Sequence, residues 1–277
     1  MALNPLALTQ VLPFLPLAQG DIDYETERRG EPDLLHKVLL EPSTTVMLTC
    51  DGRVAVPRGQ GAKADYENAA MRLATLPGAY VLDALERHPG AVGMFLGGYT
   101  GLAGGQHVVA VDITRIDGES DEDCNAGDAG TVDGQLAGYG QRADDAGNTG
   151  KADILQQATA RFDWVDLRGF APHANAREAG QATSAVALSV WHNRQRHCPA
   201  CGAPVTPAMG GWAQRCSSSA DGNRLLFPRV EPAVITVVVD SSDRMLIQHN
   251  AAWNNPTLYS VSAGFVEAGE NLEHAVR

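Results

Sequence analysis

The chain has 277 residues, 44% of them hydrophobic and 19% charged, the balance of a globular protein long enough for two domains or for one large domain and a module. With 21 Lys and Arg against 33 Asp and Glu the formal net charge is −12, which disfavours non-specific binding to nucleic acid or anionic membrane. An anionic substrate would need a divalent cation or a local basic patch.

Met1 to Gly20 is rich in Leu and Pro, has no Lys or Arg, and is interrupted by Pro5, Pro13 and Pro16, so it reads as neither a signal peptide nor a membrane span. Residues 30–115 read as a mixed α/β region. Thr44–Cys50 and His107–Ile113 are predicted strands from their β-branched content. Tyr66–Leu85 has helix-compatible Ala and Leu spacing, with a break expected at Pro77 and Gly78. From Asp117 to Gly150 the composition turns to Gly, Asp, Glu, Asn and Ala, with the acidic run Glu119–Asp123. That stretch has too little apolar surface to offset ordering entropy and is predicted to be a flexible insertion. Order is expected again at Phe162–Arg168. A helix is predicted within Asn175–His197, where Ala179, Ala182, Val186 and Val190 recur at helical intervals.

Of the five cysteines, Cys198, Cys201 and Cys216 cluster while Cys50 and Cys124 stand alone, a pattern that suits a reducing cytoplasm and a metal site better than a disulfide framework. Cys198-Pro-Ala-Cys201 is a C-x2-C knuckle and Cys216 follows after 14 residues. A short turn lets two thiolates face one ion while the longer loop returns a third, the logic of a zinc ribbon; no thioredoxin-like βαβ context favours a redox pair. A fourth Cys or His is missing, since 217–220 read Ser-Ser-Ser-Ala. Asp221 or a water is left to complete the coordination, or the ribbon holds zinc weakly or not at all and is kept together by Trp212 and its neighbours. His197, adjacent to a ligand, is badly placed to be another. The expected role of the metal is structural.

Beyond the ribbon, Phe227–Asp240 contains a dense β-branched run read as a central strand. Ser241–Asp243 turns into a second predicted strand at Arg244–Gln248, and Leu258–Ser262 reads as a third that delivers Ala263 and Gly264 to a tight bend. Asn271 is placed to cap a helix beginning at Leu272.

The ordered set C-P-A-C-G, G-W-A-Q-R-C, F-P-R-V-E-P-A-V-I and S-A-G-F-V-E-A-G-E resembles the zinc-ribbon NADH pyrophosphatases of the Nudix superfamily, over about residues 162–277. The resemblance implies an α/β chain with a mixed-sheet N-terminal domain (1–160, with the insertion at about 117–150), a linking strand and helix (161–197), a zinc ribbon (198–228) and the first part of a Nudix α/β/α sandwich (229–277). It also implies hydrolysis of NAD(H) to nicotinamide mononucleotide and AMP with Mg or Mn, in a cytoplasmic homodimer without membrane partners. An NAD-capped RNA end is a further implied substrate. The physical reason for carboxylates in such a box is that they gather divalent ions, which neutralise pyrophosphate and activate water.

Residue by residue, the resemblance maps Ala263 to a metal contact through its carbonyl and Glu270 to the box glutamate that closes G-x5-E. Phe265 maps to a ring that stacks on a nucleotide, Phe227 to an aromatic contact across a dimer, and Arg168 to a substrate-binding arginine. Core packing is the alternative for both phenylalanines, a surface position for Arg168, and a helix-start carboxylate favoured by the dipole for Glu270. One family position departs: the glutamate before the ribbon tryptophan is Gly211. The Arg-Glu and paired glutamates of the box would begin after Arg277, so the expectation is that this polypeptide is inactive and that residues 271–277 fray. A signature of NADH preference would lie there too. Two other readings therefore stay open: a Nudix hydrolase of ADP-ribose or another nucleoside diphosphate derivative, and a non-catalytic zinc-ribbon binding module.

Overall fold

The computed structural model describes residues 17, 22–61, 70–99, 105–116, 153–253 and 255–277. The predicted acidic insertion, nearly all of the N-terminal Leu- and Pro-rich stretch, and Cys124 lie outside the described residues. The chain divides into two units, one holding the described residues up to 116 and from 153 to Pro228, the other Arg229–Arg277.

The first unit is built on a six-stranded mixed sheet. Its strands are β1 (Thr45–Cys50), β2 (Arg53–Pro57), β3 (Thr75–Pro77), β4 (Val92–Tyr99), β5 (Gln106–Asp112) and β6 (Phe162–Asp166). They run in the order β4-β5-β1-β2-β6, with β3 also paired to β1. Among the described residues only β1 and β5 pair in parallel, Thr45 opposite Val108 through Thr49 opposite Asp112. Both predicted strands of this region are present. β6 pairs antiparallel with β2, so the segment after residue 161 joins the sheet as its edge strand.

Among the described residues five α-helices cover this sheet: α1 (Leu34–Leu40), α2 (Gly78–Arg87), α3 (Ile154–Arg161), α4 (Leu167–Phe170) and α5 (Ala176–Arg194). Alternation along the strands feeds two cores. Val46, Leu48, Phe95, Val109 and Val111 pack with Leu34, Val38, Val81 and Leu155 from α1 to α3. Met47, Met94, Leu96, Val108 and Ala110 pack on the other face with Phe170, Ala182, Ala185 and Leu188 of α4 and α5. The small residues of α5 let its backbone approach the strands, and burying Leu188 alone contributes about 1.5–3 kcal/mol. Asn175 caps α5 by accepting from the Glu178 amide at 2.9 Å.

The helix expected over Tyr66–Leu85 is corrected. Residues 70–74 are non-helical, β3 follows, and α2 begins at Gly78 with Pro77 as its N-cap. Pro lacks only a donor that the first turn would leave unpaired, so the supposed breaker serves as a start.

A buried carboxylate ties α5 to the sheet. Asp112 at the end of β5 accepts from Thr49 Oγ1 (2.9 Å), Asn193 Nδ2 (3.0 Å), the Thr114 amide (3.2 Å) and hydroxyl (3.1 Å), and from the Ser189 hydroxyl. Five donors to one buried anion replace the water it lost.

In the second unit, β10 (Ala233–Thr236) pairs antiparallel with β11 (Ser262–Phe265), Val234 facing Gly264. The predicted strand at Arg244–Gln248 is reduced to isolated bridges, Met245 with Val239 and Gln248 with Ser260. Gly264 lies inside β11, and the tight bend comes later: Glu270 N donates to Glu267 O at 3.0 Å, with Gly269 in the left-handed region at φ 89°. Asn271 caps the short α6 (Leu272–Ala275) as expected, accepting from the His274 amide at 2.8 Å.

Candidate metal centre

The ribbon is a three-stranded sheet in the order β7 (Val205–Ala208), β8 (Ala213–Cys216), β9 (Leu225–Leu226). Two tight turns present its sulfurs. In the first, Gly202 N donates to Cys198 O and Cys198 N to Ala203 O, both at 2.8 Å. In the second, Cys216 N donates to Arg224 O at 3.0 Å, and Asn223 Nδ2 donates to Cys216 O at 3.1 Å.

These turns bring Cys198, Cys201, Cys216 and Asp221 together, with one donor atom from each lying within 4.8 Å of the others. Cys201 Sγ is 3.5 Å from Cys216 Sγ, and Cys198 Sγ is 3.3 Å from Asp221 Oδ2. Zinc bonds of about 2.0–2.3 Å in a tetrahedron separate neighbouring sulfur and oxygen ligand atoms by about 3.5–3.8 Å, so four donor atoms already within 4.8 Å of one another can close on one ion with shifts of about an ångström or less. His197 is not in the cluster; it forms a bridge with Pro204.

The local electrostatics differ from sulfur to sulfur. Burial opposes ionisation of Cys198, but the Ala200 and Cys201 amides outweigh it and bring the thiol below its ordinary range. At Cys216 the Ser218 amide favours the thiolate and is overcome by burial and by the neighbouring sulfurs, which push it up to about 11. Asp221 is held below the usual carboxylate range by its bond from Arg224.

The ribbon docks on the first sheet through Trp212, whose Nε1 donates to Phe95 O at 2.5 Å while the Arg29 guanidinium lies 3.8 Å over its ring. Behind it, buried His192 of α5 lies 2.8 Å from Gly211 O through Nε2 and 3.2 Å from Gln214 Nε2 through Nδ1. Gly211 adopts φ 87°, and a β-carbon there would meet Gly93 O at 2.6 Å and Met94 Cα at 2.7 Å. The absent glutamate at this position thus has a steric reason: no side chain fits between the ribbon and β4. Sequence reasoning found the departure but not its cause, which depends on a contact more than a hundred residues away.

The other sequence-derived residues fall into two groups. Arg168 is exposed on α4, and Phe227, 58% exposed, follows β9. Ala263 and Phe265 lie on β11, and Glu270 closes the bend after it. Phe265 is 70% exposed, so neither phenylalanine is a core residue among those described. Both oxygens of Glu270 are engaged locally, Oε2 by the Glu267 amide at 3.0 Å and Oε1 by His274 Nδ1 at 2.7 Å. Among the described residues the Cys and Asp group is the only cluster of metal-ligating side chains, and Ala263 and Glu270 alone do not make a site for Mg or Mn. Arg224, which binds the outer oxygen of Asp221, was not singled out from the sequence.

Residues 193–225 match the NADH pyrophosphatase zinc ribbon domain. A stretch of 112 residues, 40% of the chain, is 40% identical to "NAD-capped RNA hydrolase NudC" of Mycobacterium tuberculosis and covers 34% of that protein. "Nudix hydrolase 19, chloroplastic" of Arabidopsis thaliana is 38% identical over 124 residues, 44% of the chain and 26% of the relative. "NAD-capped RNA hydrolase" of Schizosaccharomyces pombe is 33% identical over 113 residues, 37% of the chain and 30% of the relative. The chain thus spans about a third or less of the length of the relatives it matches. By its ribbon and by the stretch it shares with these hydrolases, the chain is similar to the zinc-ribbon NADH pyrophosphatases of the Nudix family.

Proposed function

We propose that the chain is part of a metal-dependent hydrolase that cleaves the pyrophosphate of NAD(H) into nicotinamide mononucleotide and AMP, and also acts on the NAD cap of RNA. The observation that carries this reading is the occurrence in one chain of the NADH pyrophosphatase ribbon and of the G-x5-E spacing from Gly264 to Glu270. Two relatives named as NAD-capped RNA hydrolases support the substrate class. With 33 acidic residues against 21 basic ones, RNA would enter by its terminal dinucleotide and not along a basic groove.

In this reading Cys198, Cys201 and Cys216 hold a structural zinc. Residues 229–277 form the first part of a Nudix sandwich in which Ala263 and Glu270 belong to the Mg or Mn site, completed by paired glutamates that are not among residues 1–277. When bound, the divalent ion neutralises the pyrophosphate and lowers the pKa of the attacking water. Arg168 would pair with substrate phosphate through its planar fork. Phe265 would stack on a nucleotide ring, and Phe227 would reach substrate across a homodimer; the exposure of both rings supports these roles. In this reading the protein works in the cytoplasm; separately, no helix among the described residues is long and apolar enough to cross a membrane.

A Nudix hydrolase of ADP-ribose or a related nucleoside diphosphate is the second reading, favoured by Gly211, which leaves no side chain before Trp212 to bond a substrate. The local engagement of both Glu270 oxygens favours the third, a non-catalytic zinc-ribbon binding module. Side-by-side turnover of NADH and ADP-ribose by a chain completed through the box separates them. Preference for NADH supports the first reading, preference for ADP-ribose the second, and turnover of neither the third.

A further inference from the structure

We infer that Asp221 is the fourth zinc ligand of the ribbon, binding through Oδ2, and that Arg224 is the positioning residue that aims it. The assignment rests on the zinc reading of Cys198, Cys201 and Cys216.

The two oxygens of Asp221 have different surroundings. Oδ2 lies 3.3 Å from Cys198 Sγ, and one carboxylate oxygen of Asp221 belongs to the group whose donor atoms lie within 4.8 Å of one another. Oδ1 points away and accepts from the Arg224 guanidinium. A carboxylate with one oxygen turned to the ion and the other fixed from outside is the arrangement by which second-shell partners orient a metal ligand. The backbone supports it: Asp221 N donates to Ser218 Oγ at 3.3 Å and Gly222 N to Ser219 O at 3.0 Å, so the Ser217–Gly222 loop folds the carboxylate back over Cys216. Ser217–Ala220, where a fourth cysteine is lacking, is therefore the turn that brings Asp221 into its place.

An oxygen donor changes the character of the site. Zinc is borderline soft, and thiolates hold it more firmly than a carboxylate does. Three thiolates and one carboxylate make a site in which Asp221 exchanges most readily, so that chelators gain access at that vertex. Residues 217–224 thus set how long the ribbon keeps its zinc.

The test is Co(II) and Zn(II) titration of the reduced 277-residue protein and of Asp221→Ala, Asp221→Asn, Asp221→Cys, Arg224→Ala and Arg224→Lys. Wild type is expected to give tetrahedral Co(II) bands with the charge-transfer intensity of three thiolates. Asp221→Cys is expected to raise that intensity by about one third and to slow zinc loss to a chelator about tenfold or more, an outcome a misfolded ribbon cannot give. Asp221→Ala and Asp221→Asn are expected to weaken zinc binding and shift the Co(II) ligand-field bands. Arg224→Ala is expected to cost about 10–100-fold in affinity, with partial rescue by Arg224→Lys. If all variants keep the wild-type spectrum and affinity, the Asp221 assignment is overturned while the thiolate site stands. If wild type takes up neither metal, the zinc reading and the assignment fall together.

Discussion

A β-carbon on Gly211 would stand 2.6 Å from the carbonyl oxygen of Gly93, so ribbon and sheet meet there backbone against backbone. The contact places Trp212 against Phe95 and aims the Gly211 carbonyl at His192. Gly211→Ala must relieve both a clash with main chain and a positive φ, and is expected to destabilise the first unit by about 2 kcal/mol or more. Urea unfolding followed by tryptophan fluorescence measures it. An unchanged midpoint would mean that the ribbon is not seated on β4 in solution.

His192 makes this docking sensitive to pH. Burial pushes its pKa below the ordinary 6.5, against smaller opposing effects of the Gly211 carbonyl and Asp112. With Nε2–H donating to Gly211 and Nδ1 accepting from Gln214, the ring must be neutral. The unfolded chain therefore binds the proton more readily, and stability is present above the ordinary histidine pKa and lost as pH falls through the lower folded value. Unfolding free energy is expected to decline on acidification below about pH 6.5, and His192→Gln to flatten that part of the profile.

Asp112→Ala removes an acceptor shared by Thr49, Thr114, Ser189 and Asn193 and leaves buried donors unpaired. A loss of about 3 kcal/mol is expected, and Asp112→Asn should recover part of it. Equilibrium denaturation of the two variants checks this.

Much of this architecture can be read from the residues, and the failures have identifiable causes. The β-branched runs at Thr45–Cys50 and Gln106–Asp112 form buried strands because both faces of the sheet are covered, and Asn175 marks the start of α5 through its own side chain. The region around Pro77 misled because one residue type both ends and begins helices, and only β3 pairing with β1 decides which. In the second unit the apolar run outlasts its ladder: Val237 and Val238 are exposed, and β-propensity without a partner surface gives bridges in place of strands. The three cysteines declare their cluster by spacing. Arg224 does not, because its contribution lies in which oxygen of Asp221 it binds.

The cysteines should also differ in reactivity. Burial, with Asp51 and Asp112 nearby, pushes the Cys50 thiol up to about 12, whereas Cys201 is exposed. After metal is removed with a chelator, iodoacetamide at pH 8 is expected to modify Cys201 under conditions that leave Cys50 intact, as mapped by peptide mass spectrometry. Equal labelling of the two would contradict the partial burial of Cys50.

Residues 271–277 carry only the four-residue α6; its Leu272 and the following Val276 are exposed, and so short a helix gains little by itself. Amide exchange is expected to be near the intrinsic rate across this segment in the 277-residue chain, while β5 amides are protected. Full protection of 271–277 would contradict the expectation.

The most direct test of the proposed function is NADH hydrolysis with Mg or Mn by residues 1–277, beside a chimera in which Arg277 is followed by the corresponding C-terminal remainder of the mycobacterial relative. Turnover by the chimera alone, yielding nicotinamide mononucleotide and AMP, is the predicted result. Equal turnover by residues 1–277 would contradict the assignment of catalysis to glutamates outside them, and a folded, zinc-loaded chimera without NADH turnover would contradict the NAD(H) reading itself.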